Sequence, residues 1–239
     1  MIKNYFTSMV RALARNRMLT LINIGGLAIG FAAFFAIMAF TSFDLSYEDF
    51  MPAKEQIYRM EISYSSENGT QIHASAGPVS AKPVFLEEFP GLIDAATRFY
   101  IRSGVEVRNG EQVFIDDVMV TDSDFFRVFD LPFVAGGQET AFQTPGSMVL
   151  TESMAQKYFG DENPVGKTLD KYIVTGVIKN LPENTHLKPG LIVSADFPSM
   201  SWWEDYAQRW DINFMYTYLK FHPLADTQRV RSRFEHLVT

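Results

Sequence analysis

Residues 19–40, LTLINIGGLAIGFAAFFAIMAF, form a run of 22 with no charged side chain. In a chain of 239 residues this run limits the architecture more than any other feature. At about 1.5 Å per residue, a helix of this length spans roughly 33 Å, enough for a bilayer core. A cleaved signal peptide has an apolar region of about 7–15 residues and a small-x-small cleavage site. This run is longer, and the segment after it, Ala39-Phe40-Thr41-Ser42-Phe43, is a poor cleavage site. The expectation is an uncleaved membrane helix over residues 18–43.

Charge placement gives that helix a direction. Residues 1–43 hold Lys3, Arg11, Arg15 and Arg17 and no acid, a charge of +4. The remaining 17 basic and 28 acidic residues leave the rest at −11. The positive-inside rule therefore puts the N-terminus in the cytoplasm and residues 44–239 outside it. An acidic bulk of this kind also argues against nucleic acid, which needs a basic face. Within residues 1–17, Ile2, Phe6, Met9, Val10 and Leu13 recur at helical spacing while Lys3, Arg11 and Arg15 fall elsewhere. That pattern predicts an amphipathic helix on the cytoplasmic membrane surface, in contact with lipid. Inside the apolar run, Gly26 and Gly30 make a GxxxG pair with Asn23 on the same side. Small residues at that spacing let a second helix approach, and Asn23 is placed to hydrogen-bond it. Glycine is also simply commoner in membrane helices, so the motif alone is weak.

After residue 44 the pattern changes to strands alternating with short helices, an α+β domain with no second spanning run. IYRMEISYS (57–65) reads as one strand, with a turn at 67–69 and TQIHASA as its partner. VSAKPVFLEEF reads as a short helix broken by Pro83. VEVRNGEQVFI alternates on both sides of Asn109-Gly110, a two-residue hairpin signal. Asp122 or Ser123 caps a helix carrying Phe125, Phe126, Val128 and Phe129. SMVL, YIVTGVI and MYTYLKF read as strands, and Asp226 is placed to cap a final helix. The hairpin-rich stretch 95–145 is expected to be a subdomain inserted in the surrounding one, giving two lobes.

FGDENPVGKT, residues 159–168, ends like a phosphate-binding loop. That loop needs four residues between its first Gly and Gly-Lys-Ser/Thr, and a strand before it and a helix after it. Here five residues separate Gly160 from Gly166, two of them acidic. The preceding segment reads as a helix capped by Thr151 and stopped by Gly160. The Gly-Lys-Thr ending is therefore a turn.

Other patterns yield no chemistry. His73, His186, His222 and His236 lack metal-ligand spacing, and cysteine is absent. DDVMVTDSD (116–124) lacks the Gly and closing Glu of a calcium loop, and a strand end with a helix cap explains it. Ser147, Ser153 and Ser194 lack a GxSxG context. Trp202, Trp203 and Trp210 suit either a recognition surface or a core, with the core expected. No enzyme, cofactor or metal is implied.

Together these segments resemble the permease subunits of MacB/FtsX-like ABC transporters over nearly the whole chain. The N-terminal MIKNYFTSMVRALARNRMLTLINIGGLAIGFAAF is similar to that family's surface helix and first membrane helix. LSYEDFMPAKEQIYRM, VTDSDFFRVFDLPFVAGG, MVLTESMAQKYFGDENPVGKTL and YIVTGVIKNLPENTHL follow in the family's order. The resemblance implies a cytoplasmic surface helix (1–17), a membrane helix (18–43) and a MacB-like periplasmic core domain (44–239), at the bacterial inner membrane. It implies that a separate cytoplasmic ABC ATPase binds ATP and drives the outer domain through the membrane helices, by mechanotransmission. Cargo in such systems is hydrophobic or peptide-like. Homo- or heterodimers of permeases, and in some members a periplasmic adaptor, are the implied partners. Such permeases carry three further membrane helices, so a chain ending at Thr239 is expected to be the N-terminal portion of one, either a fragment or a truncated product. Two rival readings use the same topology. One is a single-pass sensor or adaptor, which 17 cytoplasmic residues are too few to equip with a signalling domain. The other is an anchored extracytoplasmic enzyme, which lacks a site.

Overall fold

The computed structural model describes residues 2–65, 68–197, 200, 202–225 and 230. The chain divides after Glu48 into two compact units. The first holds two helices, α1 (Ile2–Arg15) and α2 (Arg17–Leu45). Asn16 leaves helical geometry between them, with φ −108° and ψ 55°. Two bonds span that break: Thr20 donates its amide to the Asn16 carbonyl and its hydroxyl to the Leu13 carbonyl, each at 3.0 Å. At the far end Ser46 caps α2, its hydroxyl donating to the Phe43 carbonyl at 2.7 Å. The helix thus runs slightly past both ends of the charge-free span. Its apolar side chains point in all directions and none of its residues is buried. In water that distribution is unstable; in lipid it is the stable one.

The second unit opens with β1 (Ile57–Arg59), β2 (Ile62–Ser65), β3 (Gln71–Ala74), β4 (Gly77–Pro78) and α3 (Ala81–Glu88). A long hairpin follows, β5 (Ile93–Asn109) and β6 (Gln112–Thr121), then α4 (Phe125–Val128), β7 (Phe133–Ala135) and α5 (Gln138–Ala141). The remainder is β8 (Ser147–Thr151), α6 (Glu152–Phe159), β9 (Thr168–Leu169), β10 (Tyr172–Ile178), β11 (Leu191–Ser194), α7 (Trp203–Tyr206) and β12 (Asn213–Phe221). The main sheet runs β1-β12-β5-β6-β11-β8-β10-β7, with β4 against β12 and β9 against β10. The pairs β6–β11 and β8–β10 are parallel, and the others are antiparallel. β2 and β3 form a separate two-stranded sheet.

Both faces of the main sheet are covered. Val118, Val120, Met148, Leu150, Leu191 and Val193 turn to one face, beneath Tyr158 of α6 and Phe197. Their neighbours Met119, Val149 and Ile192 turn to the other, beneath Phe125, Phe126, Phe129 and Phe142. This explains why SMVL reads as an apolar run and why β11, LIVS, lacks alternation too: two-sided burial removes it. The phenylalanines interlock, with Phe126 centred 4.9 Å from both Phe133 and Phe142. Each fully buried ring of this kind stabilises the fold by roughly 1.5–3 kcal/mol. A third cluster seats α3, through Ala81 and Phe85, on Leu219 and Phe221.

Several expectations need correction. Residues 95–145 are not an inserted subdomain, and the unit is not two lobes. β5 pairs with β12 and β6 with β11, so the long hairpin is the middle of one sheet in one compact unit. The 57–65 segment is two strands. It leaves the main sheet at Met60, whose amide makes the last bond to the Thr217 carbonyl at 2.9 Å, and then pairs with β3. Pro83 does not break α3, because it lies in the first turn, where amides have no intrahelical acceptor. The hairpin loop is Gly110-Glu111, one residue later than expected, since Asn109 pairs with Gln112. The Asn109 side chain donates to the Tyr158 carbonyl, which holds that residue in the strand. Gly110 then supplies the positive φ, 61°, that primed hairpin turns require. Asp226 and, apart from Val230, its helix lie outside the described residues.

Candidate functional site

The residues singled out for helix packing all lie on α2. Asn23, Gly26 and Gly30, spaced by three and four, share one side of α2. A methyl group built on Gly26 or Gly30 meets nothing within 4 Å. Asn23 is exposed, as are its apolar neighbours Ile22, Ile24, Leu27 and Ile29. This side of the helix is therefore open within unit 1, with room for a second backbone. Among the described residues α2 is the one helix long and apolar enough to cross a membrane.

The Gly-Lys-Thr ending is a turn into a strand. Gly166 takes φ 87° and donates its amide to the Val174 carbonyl at 2.8 Å. Lys167 donates its amide to the Pro164 carbonyl at 3.0 Å and pairs its ammonium with Glu162. Thr168 opens β9 against β10, not a helix. The amides that would wrap a phosphate are used by the chain's own carbonyls. Upstream, Thr151 caps α6 by accepting from the Met154 amide, and Gly160 ends it at φ 60°.

The aspartate-rich stretch does something the sequence did not reveal. Asp122 is not a solvated cap but the centre of a buried ionic network. Lys82 of α3 lies 2.7 Å from Asp122 and 3.0 Å from Asp124. Thr97 donates to the other Asp122 oxygen at 2.9 Å, and the Arg98 guanidinium lies 3.7 Å away. Asp124 occupies the N-cap position of α4 but makes no capping bond there; it pairs with Lys82 and Arg127 instead. Burial alone would push the Asp124 carboxyl up, but Lys82 and then Arg127 outweigh it and hold it below its ordinary value. Burial pulls the Arg98 guanidinium down, and Asp122 opposes that. Asp116, at the other end of the stretch, accepts from Lys157 at 2.7 Å and from the Tyr158 hydroxyl. Burial and then that bond push the Tyr158 hydroxyl up. These contacts join α3, β5, β6, α4 and α6, and they are positional. The missed signal was a lysine inside an apolar helix segment, AKPVFL; its partner lies 40 residues away.

The tryptophans divide. Trp202 packs on Tyr100, Phe197 and Phe214, as a core residue does, while Trp210 is 45% exposed. Among the described residues no group of three or more His, Asp and Glu is placed to hold a metal ion.

An apolar helix of bilayer length precedes a sheet domain covered on both faces. The family model of the MacB-like periplasmic core domain matches residues 20–237, and the chain belongs to that family, whose domains are periplasmic parts of ABC-type transporter permeases. No curated protein sequence matches the chain. Among solved structures, one similar fold is a domain of a protein assigned as a permease from Porphyromonas gingivalis. It has a TM-score of 0.63 and 19% identity, covering 77% of this chain and 80% of that one. The periplasmic region of MacB from Actinobacillus actinomycetemcomitans aligns with TM-score 0.49 and 18% identity, over 67% of this chain and 72% of that one. The extracellular domain of the noncanonic ABC-type transporter YknZ from Gram-positive bacteria aligns with TM-score 0.47 and 15% identity, over 73% and 88%.

Proposed function

We propose that this chain is a permease subunit of an ABC transporter in the inner membrane, with its N-terminus in the cytoplasm and the sheet domain in the periplasm. A separate cytoplasmic ATPase hydrolyses ATP, and α2 carries the resulting motion to the outer domain, which exports or extracts hydrophobic or peptide-like cargo. The observation that carries this reading is the family match, because it takes in helix and domain together rather than the domain alone. The charge split supports the orientation, and the self-satisfied Gly-Lys-Thr turn supports assigning ATP to the partner. The open Gly26 and Gly30 side of α2 supports packing against other permease helices, in a homo- or heterodimer. The chain itself is no enzyme in this reading.

Two measurements test it. A cysteine at Asn68 should react with an impermeant reagent added outside spheroplasts, and one at Ser8 should be protected; the reverse pattern sinks the orientation. The tagged protein, purified from its membrane, should bring down a nucleotide-binding ABC subunit. Failure to do so under conditions that keep membrane complexes intact sinks the transporter assignment and favours an anchored sensor or adaptor.

A further inference from the structure

Asparagine is prone to react with its own main chain when glycine follows it, because no Cβ then shields the next amide nitrogen from the asparagine side chain. The chain has two such pairs, Asn68-Gly69 and Asn109-Gly110. Each lies at a hairpin of the sheet domain, and the fold restrains them unequally.

Asn109 is held twice. Its backbone belongs to the β5–β6 ladder, where it pairs with Gln112. Its side-chain amide donates to the Tyr158 carbonyl at 2.6 Å, which ties it to α6. A side chain tied to a neighbouring helix is not free to fold back onto the amide that follows it.

Asn68 has neither restraint. The β2–β3 ladder ends at the pair Ser65–Gln71, so Asn68 and Gly69 lie beyond it, in the turn. Both are exposed. Among the described residues none makes a hydrogen bond to the Asn68 side chain. A methyl group built on Gly69 meets no atom within 4 Å, so the space around the attacking nitrogen is clear. Ring closure there breaks no ladder bond.

We propose that Asn68 is a site of spontaneous modification in the folded protein, converted by water to aspartate and isoaspartate through a succinimide, while Asn109 is protected by the fold. The Gly69 amide nitrogen gives its proton to solvent and bonds to the Asn68 side-chain carbonyl carbon, Cγ. The Cγ–Nδ2 bond breaks and the side-chain nitrogen leaves as ammonia. Water then opens the ring. Addition at Cγ breaks the new bond and gives aspartate; addition at the main-chain carbonyl breaks the original peptide bond and gives isoaspartate. Either product carries a new negative charge at the hairpin turn, and isoaspartate also lengthens the main chain by a methylene. The reaction depends on the sheet domain alone and proceeds whether or not the chain transports.

The test incubates the full chain, in lipid nanodiscs, in mildly alkaline buffer made with heavy-oxygen water. The incubation lasts as long as a guanidinium-unfolded sample needs to convert both sites. Digestion under acidic conditions then stops the reaction, and chromatography with mass spectrometry resolves the peptides carrying residues 68 and 109. In the folded protein Asn68 should become a mixture of aspartate and isoaspartate, each with heavy oxygen in its carboxylate. Asn109 should react at least about tenfold more slowly, since its side chain must first leave the Tyr158 carbonyl and its backbone the ladder. An intact Asn68 overturns the proposal, as does equal conversion of the two sites. Aspartate without isoaspartate also overturns it, because direct hydrolysis of the side chain would then be the route.

Discussion

A methyl group placed on Gly26 or Gly30 of α2 meets no atom within 4 Å, whereas one on Gly136 runs into the Thr175 carbonyl oxygen at 2.4 Å and the Gly176 Cα at 2.9 Å. The same residue type serves opposite ends in the two units. In the sheet domain glycine lets β7 and β10 approach backbone to backbone, and the contact is complete within the chain. On α2 the equivalent space is empty, and none of its residues is buried. The contrast extends to charge. The sheet domain buries Lys82, Arg98 and Asp122 and pairs them, while α2 excludes charge from its central span. Stability of the domain is internal; stability of the helix is supplied by lipid and by whatever packs beside it.

The strongest way to break this comparison is to open the buried network. Asp122→Ala leaves Arg98 in the interior without its carboxylate and Lys82 with Asp124 alone, and breaking such a group costs about 3–5 kcal/mol. Urea unfolding of the full chain, followed by tryptophan fluorescence, should show a large fall in midpoint. An unchanged midpoint means that water already reaches the network.

Gly136→Ala comes next. Its φ of 75° is left-handed, costing roughly 1–2 kcal/mol for a residue with a Cβ, and the clash with Thr175 adds overpacking of about 1–3 kcal/mol. Gly26→Ala should leave the same unfolding curve where it was. Equal effects of the two substitutions would erase the distinction between the units.

Acid sharpens the electrostatic half. The Asp124 carboxyl is held below its ordinary value in the folded state. Its contribution is therefore full above the unfolded value, about 3.9, and is lost as pH falls through the lower folded one. The stability gap between the parent and Asp124→Asn should be constant near neutrality and close progressively below about pH 4. A gap that persists at low pH removes the ion pairing as its cause.

The smallest effect on unfolding is expected from Gly30→Leu, since the new side chain meets nothing within the chain and suits lipid. Under the proposed function its effect appears instead in assembly or ATP-coupled transport, with Phe35→Leu much milder. Normal assembly and transport would make α2 a plain anchor.

Features carried by short sequence separations were legible. The charge-free span, the Thr151 cap, the Gly160 stop and the hairpin near Asn109 depend on residues a few positions apart, because backbone bonding and side-chain period act locally. Even there the loop lies one residue later than its signal, with Asn109 paired in the strand and its side chain bonded to the distant Tyr158 carbonyl. That Asn23, Gly26 and Gly30 share a side of α2 also follows from their spacing, since residues three and four apart in a helix need no tertiary information to share a face.

Tertiary structure alone decided the rest. Strand order joins β5 to β12 and β6 to β11 across long stretches of chain, and runs such as SMVL are equally compatible with several neighbours. Asp122 looked like a helix cap because its partner Lys82 is 40 residues away. The break at Met60, which turns β2 out of the sheet, falls where β12 exchanges β1 for β4 as its neighbour. Periodicity reports which side of a segment is apolar, and composition reports which segment suits lipid. Neither reports which two segments meet, since that is settled by the joint burial of faces that the chain brings together only when it folds.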